Sequence, residues 1–319
     1  MSRIWIGAVG LGVIIAGAAW AQERTVTIGI VAKSQSNPVF QAAHQGALDA
    51  ARELGPQYGV SVNIDIQTPP QEDAQKQAQA VELLARKGVE AIAVSCSDAN
   101  AMTPAIDKAI SAGAVVMTFD SDAPRSKRLC YYGTDDVSCG KLVMKELAAI
   151  MHDAGKVAIL GGNQAAPNLR NRIKGVKDEA ASHPGIAIVD TFYHQETPEQ
   201  AAATVQREQA AHPDIQGWAM IGGWPLFTRD ALKWAPGEVK VVSVDALPPQ
   251  LGYLESGHVA VLLAQDCYGW GYKSVQILLD KVVKSRDPAE SRIVDPLTRV
   301  TKDNVADFGK KWDKWLGKK

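Results

Sequence analysis

Two carboxylates, Asp120 and Asp122, directly follow the apolar run of residues 114–119. Carboxylates this close together can serve as a general acid and base, as ligands of a metal ion, or as hydrogen-bond acceptors. The run is rich in valine and lies between Gly113 and Pro124, which predicts a strand buried on both faces. The carboxylates then lie at the carboxyl end of that strand, where open α/β sheets bind their ligands.

Other predicted strands also end in polar residues, and these are the candidate partners of the two carboxylates. The first half of the chain offers Lys33, Asn37, Ser95 and Asp98, and the second half offers Asn163, Arg170, Arg172, Trp224, Asp245 and Gln265. Each position has an ordinary structural alternative. Asn37 and Asp98 can cap helices, Asp122 can end a turn, the arginines can form a solvated helix face, and Trp224 can pack at the edge of a core.

As a set, these residues favour a small polyhydroxylated ligand. Carboxylates, amides and guanidinium groups can each bridge two neighbouring hydroxyl groups. An aromatic face such as that of Trp224 or Phe40 can cover the apolar C–H face of a sugar ring. Catalysis is disfavoured, because the chain lacks the G-x-S-x-G, H-E-x-x-H and P-loop motifs. Asp120 and Asp122, two residues apart on one segment, point in different directions and are poorly placed to flank one glycosidic bond. We therefore expect no enzyme activity, no cofactor and no metal site.

The four cysteines, Cys96, Cys130, Cys139 and Cys267, include no C-x-x-C pair, which argues against a zinc site. Two interpretations stay open. Cys96 and Cys267 each follow a strand and could form a disulfide, or all four could be free buried thiols. A strand carries Cys130 away from the helix start near Cys139, so that pair is not expected to bridge.

The N-terminus has the pattern of a secretory signal peptide. Arg3 precedes the apolar residues 4–18, and Ala19-Trp20-Ala21 forms a cleavage site before Gln22. A transmembrane anchor is the alternative, but the apolar run is short for one. We therefore predict a signal peptide over residues 1–21 and a periplasmic mature protein. Its 34 basic and 35 acidic residues do not indicate nucleic acid as a partner.

The elements that must position the polar residues alternate between strands and helices. Strands are predicted at residues 25–31, 60–66, 91–94 and 114–119, and the first helix, residues 39–54, is expected to stop at Gly55-Pro56. The alternation of strands and helices is interrupted after Asp122 and resumes beyond residue 134. The later strand–helix units include a helix predicted to end at Trp234. This order predicts an α/β protein with two doubly wound lobes, each built on a parallel sheet.

The chain resembles the ribose-binding type of periplasmic sugar-binding proteins, which have the type I periplasmic binding fold and serve ABC importers. The resemblance rests on Ser36-Asn37-Pro38-Val39-Phe40, Phe119-Asp120, Gly133-Thr134-Asp135-Asp136, Arg170-Asn171-Arg172 followed by Gly175, Asp245, and Ala264-Gln265. It implies three hinge strands near Gly133, Gln265 and Asp295. The N-terminal lobe would then comprise residues 22–133 plus 266–294, and the C-terminal lobe residues 134–265 plus 295–319.

The same resemblance implies ligand contacts from Asn37, Phe40 and Asp120 in the first lobe and from Arg170, Asp245 and Gln265 in the second. Adding Lys33, Ser121, Asp122 and Trp224 gives the predicted binding set: Lys33, Asn37, Phe40, Asp120, Ser121, Asp122, Arg170, Trp224, Asp245 and Gln265. The implied partners are a small sugar or polyol and an ABC permease, and the protein is expected to be a monomer. A periplasmic ligand sensor of the same fold is the alternative function.

Departures from the ribose-type pattern bear on the ligand. Ribose-type receptors have Asp-Arg where this chain has Asp120-Ser121, Asn-Asp where it has Gly223-Trp224, and an aromatic residue where it has Val39. Lys33 and the run Asp120-Ser121-Asp122 are similar to the corresponding residues of receptors for rhamnose and for the autoinducer-2 signal. We therefore expect a sugar or polyol other than ribose.

Overall fold

The computed structural model describes residues 24–315, so the predicted signal peptide lies outside the described residues. The strands are β1 (Thr25–Val31), β2 (Ser61–Ile66), β3 (Ala91–Val94), β4 (Val115–Phe119), β5 (Tyr131–Gly133), β6 (Ala154–Gly161), β7 (Gly185–Tyr193), β8 (Gly217–Met220), β9 (Lys240–Val244), β10 (Val261–Ala264), β11 (Arg292–Val294) and β12 (Thr298–Val300). The helices are α1 (Pro38–Tyr58), α2 (Ala74–Arg86), α3 (Ala99–Ser111), α4 (Asp136–Ile150), α5 (Pro167–Ala180), α6 (Pro198–Ala211), α7 (Pro248–Ser256), α8 (Cys267–Lys284) and α9 (Val305–Trp315), with a short 3-10 turn at Trp224–Phe227.

Within residues 24–315 the strands form two six-stranded sheets of matching topology. The strand order is β11-β5-β4-β3-β1-β2 in the first sheet and β12-β10-β9-β8-β6-β7 in the second. Neighbouring strands are parallel except for β12, which runs antiparallel to β10. In each sheet the second strand along the chain adds on one side of the first and the later strands add on the other. This is the doubly wound arrangement, and it confirms the predicted fold class.

The central strands are buried because helices cover both faces of each sheet. Every residue of β3, β8 and β10 is buried, whereas every residue of the edge strand β2 is exposed or half-buried. Apolar runs of four or five residues therefore mark the middle of each sheet, as expected for parallel strands.

The chain passes between the two sheets three times. It leaves the first sheet after β5, returns from β10 to α8, which packs along α1, and crosses again between β11 and β12. We call the part built on the first sheet the N-terminal lobe and the part built on the second the C-terminal lobe, and we propose the lobe boundaries at these crossings. The strands next to these crossings, β11 and β5 in the first sheet and β12 and β10 in the second, stand at one edge of each sheet.

Helices α1 and α8 of the N-terminal lobe approach each other through glycines. A Cβ atom at Gly271 would collide with the carbonyl oxygen of Ala43, and one at Gly46 would collide with the carbonyl oxygen of Tyr268. Both obstacles are backbone atoms and cannot rotate away. The close contact of the two helices therefore depends on the absence of side chains at these two positions.

We expect Gly271→Ala to lower the free energy of unfolding by about 1–3 kcal/mol or more, because the helices must separate to accept the methyl group. Gly252→Ala, in α7, is the matched control. A Cβ atom there would meet nothing within 4 Å, so this change should raise helix propensity and stabilise the protein by up to about 1 kcal/mol. Urea unfolding of both variants measures the difference. Equal effects of the two substitutions would contradict the packing argument.

Two local predictions were wrong. Helix α1 does not stop at Gly55-Pro56 but runs to Tyr58 and ends at Gly59, whose φ of 69° is left-handed. A proline this close to the end of a helix removes a single backbone donor, which the last turn tolerates. The predicted helix ending at Trp234 is only the 3-10 turn of Trp224–Phe227, and the actual helix, α7, follows β9.

Candidate functional site

The candidate site lies where the carboxyl ends of the two sheets face each other. The lobes enclose a cavity of about 20 Å³ there. It is lined by Lys33, Asn37, Val39, Phe40, Asp120, Asn168, Leu169, Arg172, Glu196, Gly222, Trp224, Asp245, Gln265 and Trp270. A cavity of this size holds about one water molecule. A sugar therefore needs the lobes to open or the lining side chains to move.

Each sheet places one carboxylate at the same point of its topology. Asp120 follows β4 and Asp245 follows β9, the fourth strand along the chain in each sheet. Both residues are buried, and both have a left-handed backbone, with φ of 54° and 69°. Positive φ is uncommon outside glycine, although aspartate tolerates it, and such residues cluster at functional sites. The two lobes thus present equivalent aspartates to the same cavity.

Asp120 is held by contacts from both lobes. Ser95 Oγ donates a hydrogen bond to Asp120 Oδ2 at 2.7 Å, and Asn168 Nδ2 donates one to Asp120 Oδ1 at 3.1 Å. Lys33 Nζ lies 4.0 Å from the Asp120 carboxylate and donates to Asn168 Oδ1 at 3.2 Å. Because Asn168 begins α5 of the C-terminal lobe, these hydrogen bonds join the lobes across the cleft. A ligand that enters there would compete with them directly.

Arg172 is the centre of the second polar network. Its Nε donates to Asp136 Oδ1 at 2.9 Å, Nη1 donates to the carbonyl oxygen of Ile221 at 3.1 Å, and Nη2 donates to Gln265 Oε1 at 2.7 Å. Gln265 Nε2 in turn donates to Asp245 Oδ1 at 2.7 Å. Within residues 24–315, three of the five N–H groups of this guanidinium thus have protein acceptors, and two are left for a ligand.

The same network reaches the hinge. Thr134, at the first crossing between the sheets, donates its hydroxyl to Gln265 Oε1 at 2.9 Å, and Gln265 stands at the second crossing. Gln265 therefore connects Arg172 and Asp245 to two of the three chain crossings. The side-chain amide of Gln265 is thus the group that links Asp245 to Thr134.

Aromatic rings close the cavity on both sides. Phe40 and Trp270, from the N-terminal lobe, lie with ring centroids 6.2 Å apart. Trp224, from the C-terminal lobe, is held edge-on by His194 at 4.9 Å. A Cβ atom at Gly222 would collide with the Trp224 ring, so glycine is required for this position of the indole. Opposed aromatic walls with polar groups between them suit a sugar ring.

Burial and neighbouring charges shift the pKa values of this region. Burial lowers the pKa of Lys33, but Glu196, Asp120 and Glu72 outweigh that effect and raise it above the ordinary value. Burial raises the pKa of Asp136 to about 6 against the opposing effect of Arg172, so the ion pair is intact at pH 7. Burial also raises the pKa of Glu196 to about 7, with Lys33 acting in the opposite direction.

The shift at Glu196 predicts a pH-dependent stability. Since the pKa rises from 4.5 to about 7 on folding, the folded protein binds this proton more tightly than the unfolded chain. Its contribution to stability is therefore complete below about pH 4.5 and is lost as pH rises to about 7, with a slope of at most about 1.4 kcal/mol per pH unit. We expect Glu196→Gln to remove this slope, as measured by urea unfolding between pH 4.5 and 8. The exposed Glu255→Gln should keep the wild-type slope, and a Glu196→Gln profile parallel to wild type would contradict the assignment.

The cavity brings together seven of the ten residues that the sequence predicts as ligand contacts: Lys33, Asn37, Phe40, Asp120, Trp224, Asp245 and Gln265. Asn37 also caps α1, where its side chain accepts a hydrogen bond from the backbone N–H of Val39. Its ordinary structural role and its place in the cavity are thus compatible.

The other three predicted contacts lie outside the cavity. The exposed Arg170 donates hydrogen bonds to the carbonyl oxygens of Gln164 and Ala165, and the guanidinium that lines the cavity is that of Arg172. Asp122 accepts bidentate hydrogen bonds of 2.5 and 2.6 Å from Arg128, which makes it part of a loop rather than of the cavity. The hydroxyl of Ser121 is buried in the protein away from the cavity.

Four polar or aromatic residues of the cavity lie outside the predicted binding set, namely Asn168, Arg172, Glu196 and Trp270. Of these, Arg172 is among the strand-end candidates. Glu196 follows the end of β7 by three residues, so the strand-end rule could have included it. Asn168 lies in the first turn of the helix after β6. Trp270 belongs to the first turn of α8. No local pattern separates that residue from an ordinary core tryptophan.

Other predicted features concern cysteines, metals and membranes. The four cysteines are buried free thiols, so the disulfide interpretation is not supported. Among residues 24–315, no group of three or more His, Cys, Asp or Glu side chains is arranged to hold a metal ion. In the same part of the chain, no helix combines the length and apolar character needed to span a bilayer.

Two similar lobes, joined by three chain crossings and facing each other across a polar and aromatic cavity, define a cleft-type ligand-binding protein. A family model described as a periplasmic binding protein domain matches residues 28–285. The chain belongs to this periplasmic binding protein family, as the sequence resemblance predicts, and its fold and relatives are those of substrate-binding proteins rather than enzymes.

Similar proteins bind sugars. The ribose import binding protein of Salmonella typhimurium is 27% identical over 281 residues, covering 88% of this chain and 91% of the relative. The D-ribose/D-allose-binding protein of Pseudomonas aeruginosa is 28% identical, covering 73% and 74%. A carbohydrate transporter solute-binding protein of Agrobacterium radiobacter, solved with D-arabinose, has a TM-score of 0.82 at 25% identity, covering 90% of this chain and 98% of that structure.

Proposed function

We propose that this protein is the exported, periplasmic substrate-binding protein of a sugar ABC importer, and that it traps a monosaccharide-like ligand between its lobes. The observation that carries the proposal is the pair of equivalent aspartates, Asp120 and Asp245, which face one cavity from two hinged lobes. The relatives' names, which refer to ribose import, ribose and allose binding, and carbohydrate transport, support the sugar class.

The ligand would first bind one open lobe and then be enclosed as the other rotates about the hinge. Closure is favoured only by contacts that the closed form adds. The hydrogen bonds that join Asn168 to Asp120 and to Lys33 across the lobes are such contacts. A sugar hydroxyl inserted between these side chains would replace their direct hydrogen bonds by hydrogen bonds to the ligand. The closed surface would then be recognised by an inner-membrane permease, with the protein acting as a monomer.

We propose Lys33, Asn37, Asp120, Asn168, Arg172, Glu196, Asp245 and Gln265 as the polar contacts of the ligand, with Phe40, Trp224 and Trp270 against its C–H faces. Carboxylates and cations both occur in this set, so it suits a neutral ligand with many hydroxyl groups. The periplasmic sensor stays a prediction from the sequence. No contact described above favours it over transport, and the curated relatives are named for import and binding.

Titration calorimetry with D-ribose, D-arabinose, D-allose, a deoxyhexose, xylitol and autoinducer-2 tests the proposal. We expect one neutral sugar or polyol to bind with micromolar or better affinity and to quench or enhance tryptophan fluorescence, because Trp224 and Trp270 line the cavity. If no compound of this panel binds and a glycoside is hydrolysed instead, the receptor function is wrong.

A further inference from the structure

A second, larger compartment lies outside the candidate site, at the mouth of the cleft. It has a volume of about 590 Å³, within the range of about 300–1,000 Å³ that is typical of ligand pockets. Both lobes line it. Ser34, Ser36, Gln71 and Glu72 come from the N-terminal lobe, and Gly162, Asn163, Gln164 and residues 193–197 come from the C-terminal lobe.

The outer compartment adjoins the inner cavity. Glu196 lines both spaces, and Ser34 and Ser36 are chain neighbours of the cavity residues Lys33 and Asn37. Glu196 Oε1 accepts a hydrogen bond from the backbone N–H of Asn163 at 3.1 Å, and Asn163 Nδ2 donates to Glu72 Oε1 across the cleft at 3.0 Å. The boundary between the inner cavity and the outer compartment therefore includes the ends of the Glu196, Asn163 and Glu72 side chains. These side chains can move aside when a ligand occupies both spaces.

The lining of the outer compartment excludes one class of ligand group. None of its twelve lining residues is a lysine or an arginine, whereas Glu72 and Glu196 both contribute carboxylates. Burial lowers the pKa of His194, so this ring is neutral at pH 7 and provides no cation either. A phosphate or carboxylate substituent would meet the carboxylate of Glu72 and, as pH rises above about 7, that of Glu196, with no cation in the lining to compensate.

The remaining lining groups favour a neutral polyhydroxylated unit. The lining offers both hydrogen-bond donors and acceptors. These are the hydroxyls of Ser34, Ser36 and Thr197 and the amides of Gln71 and Gln164. The ring of Tyr193, at 40% exposure, stands among them as an open aromatic surface. Hydrogen-bonding groups beside an exposed aromatic face are the chemistry that holds a sugar ring.

We propose that the outer compartment is a second sugar subsite, so that this protein also accepts a disaccharide whose inner unit occupies the cavity of Asp120 and Asp245. The proposal rests on the proposed sugar-binding function and extends its substrate class from monosaccharides to glycosides. Tyr193 provides the surface on which the outer sugar unit stacks. The inner sugar unit contacts the polar and aromatic residues of the cavity described above.

Calorimetry first identifies the monosaccharide that binds, and then compares it with disaccharides that carry this sugar as either the reducing or the non-reducing unit, and with its phosphate ester. We expect at least one disaccharide to bind within tenfold of the monosaccharide, and the phosphate ester to bind at least 100-fold more weakly. Gln164→Trp fills the compartment from an exposed position and should weaken disaccharide binding at least tenfold, with monosaccharide affinity within threefold of wild type.

Gln57→Trp, the same substitution at an exposed glutamine of α1, is the matched control and should change neither affinity. Tyr193→Ala should reproduce the selective loss of disaccharide binding. A protein that binds a monosaccharide but none of its disaccharides overturns the subsite, as does equal weakening of both ligands by Gln164→Trp. Failure of every sugar to bind would instead overturn the proposed function itself.

Discussion

Replacing Arg172 with methionine should weaken ligand binding by at least 100-fold, whereas Arg170→Met should leave the affinity within twofold of wild type. Arg172 is buried and joins Asp136, Ile221 and Gln265, while Arg170 is exposed and donates to backbone carbonyls of the loop before α5. Hydrogen bonds that involve a charged group contribute roughly 1.5–3 kcal/mol each, so loss of one or two gives a change of this size. Calorimetry with the sugar identified for the wild type measures both variants.

The variant at position 172 must also be shown to fold. Removing one partner of a buried ion pair costs about 3–5 kcal/mol, because Asp136 is left without its counter-charge. Arg172→Lys keeps a positive charge but loses the planar fork that reaches Asp136, Ile221 and Gln265 together. We expect this variant to unfold at higher urea than Arg172→Met and still to bind at least tenfold more weakly than wild type. Wild-type affinity in either variant, or a tenfold loss in Arg170→Met, would reverse the assignment of the two arginines.

A second pair of substitutions separates the two carboxylates of the apolar run. Asp120→Asn should weaken binding at least 100-fold, because this side chain accepts hydrogen bonds from Ser95 and Asn168 and lies beside Lys33 in the cavity. The amide replaces an acceptor by a donor and removes the negative charge. Asp122→Asn should leave affinity within twofold, because its carboxylate is engaged by Arg128 and Thr118 outside the cavity.

Stability should respond in the opposite order. Asp122→Asn breaks a bidentate ion pair whose side chains are only 10% and 14% exposed, which we expect to cost about 1–3 kcal/mol in urea unfolding. Asp120→Asn replaces an aspartate in a left-handed conformation by the other residue that tolerates it, so its effect on stability should be smaller. Tight binding by Asp120→Asn, or a larger affinity loss in Asp122→Asn, would show that the wrong carboxylate has been placed in the site.

The contrast between these two pairs shows how far sequence reasoning reaches. Local patterns identified the strands, since β3 and the apolar run before Asp120 read as short buried segments, and strand order with the family markers gave the two-lobed fold. The rule that ligands bind at the carboxyl ends of parallel strands placed Asp120, Asp245 and Gln265 at one cavity without any coordinates. These inferences were possible because the pattern of buried side chains along a strand and the right-handed connection between parallel strands depend on residues close together in the chain.

The choice between residues on one segment needed the tertiary structure. Arg170 and Arg172 are two residues apart on α5, which separates them by about 200° around the helix axis. Only the packing of α5 against α4, where a Cβ atom at Gly140 would collide with the backbone of Arg172, decides which one turns inward. Glu196 enters the cavity from the loop between β7 and α6, and the outer compartment exists only where two lobes meet. The sequence thus determined which polar and aromatic groups are available at each sheet edge. Contacts between residues far apart in the chain decided which of these groups share a cavity. The reason is that such contacts depend on how helices and lobes pack, and not on local sequence pattern.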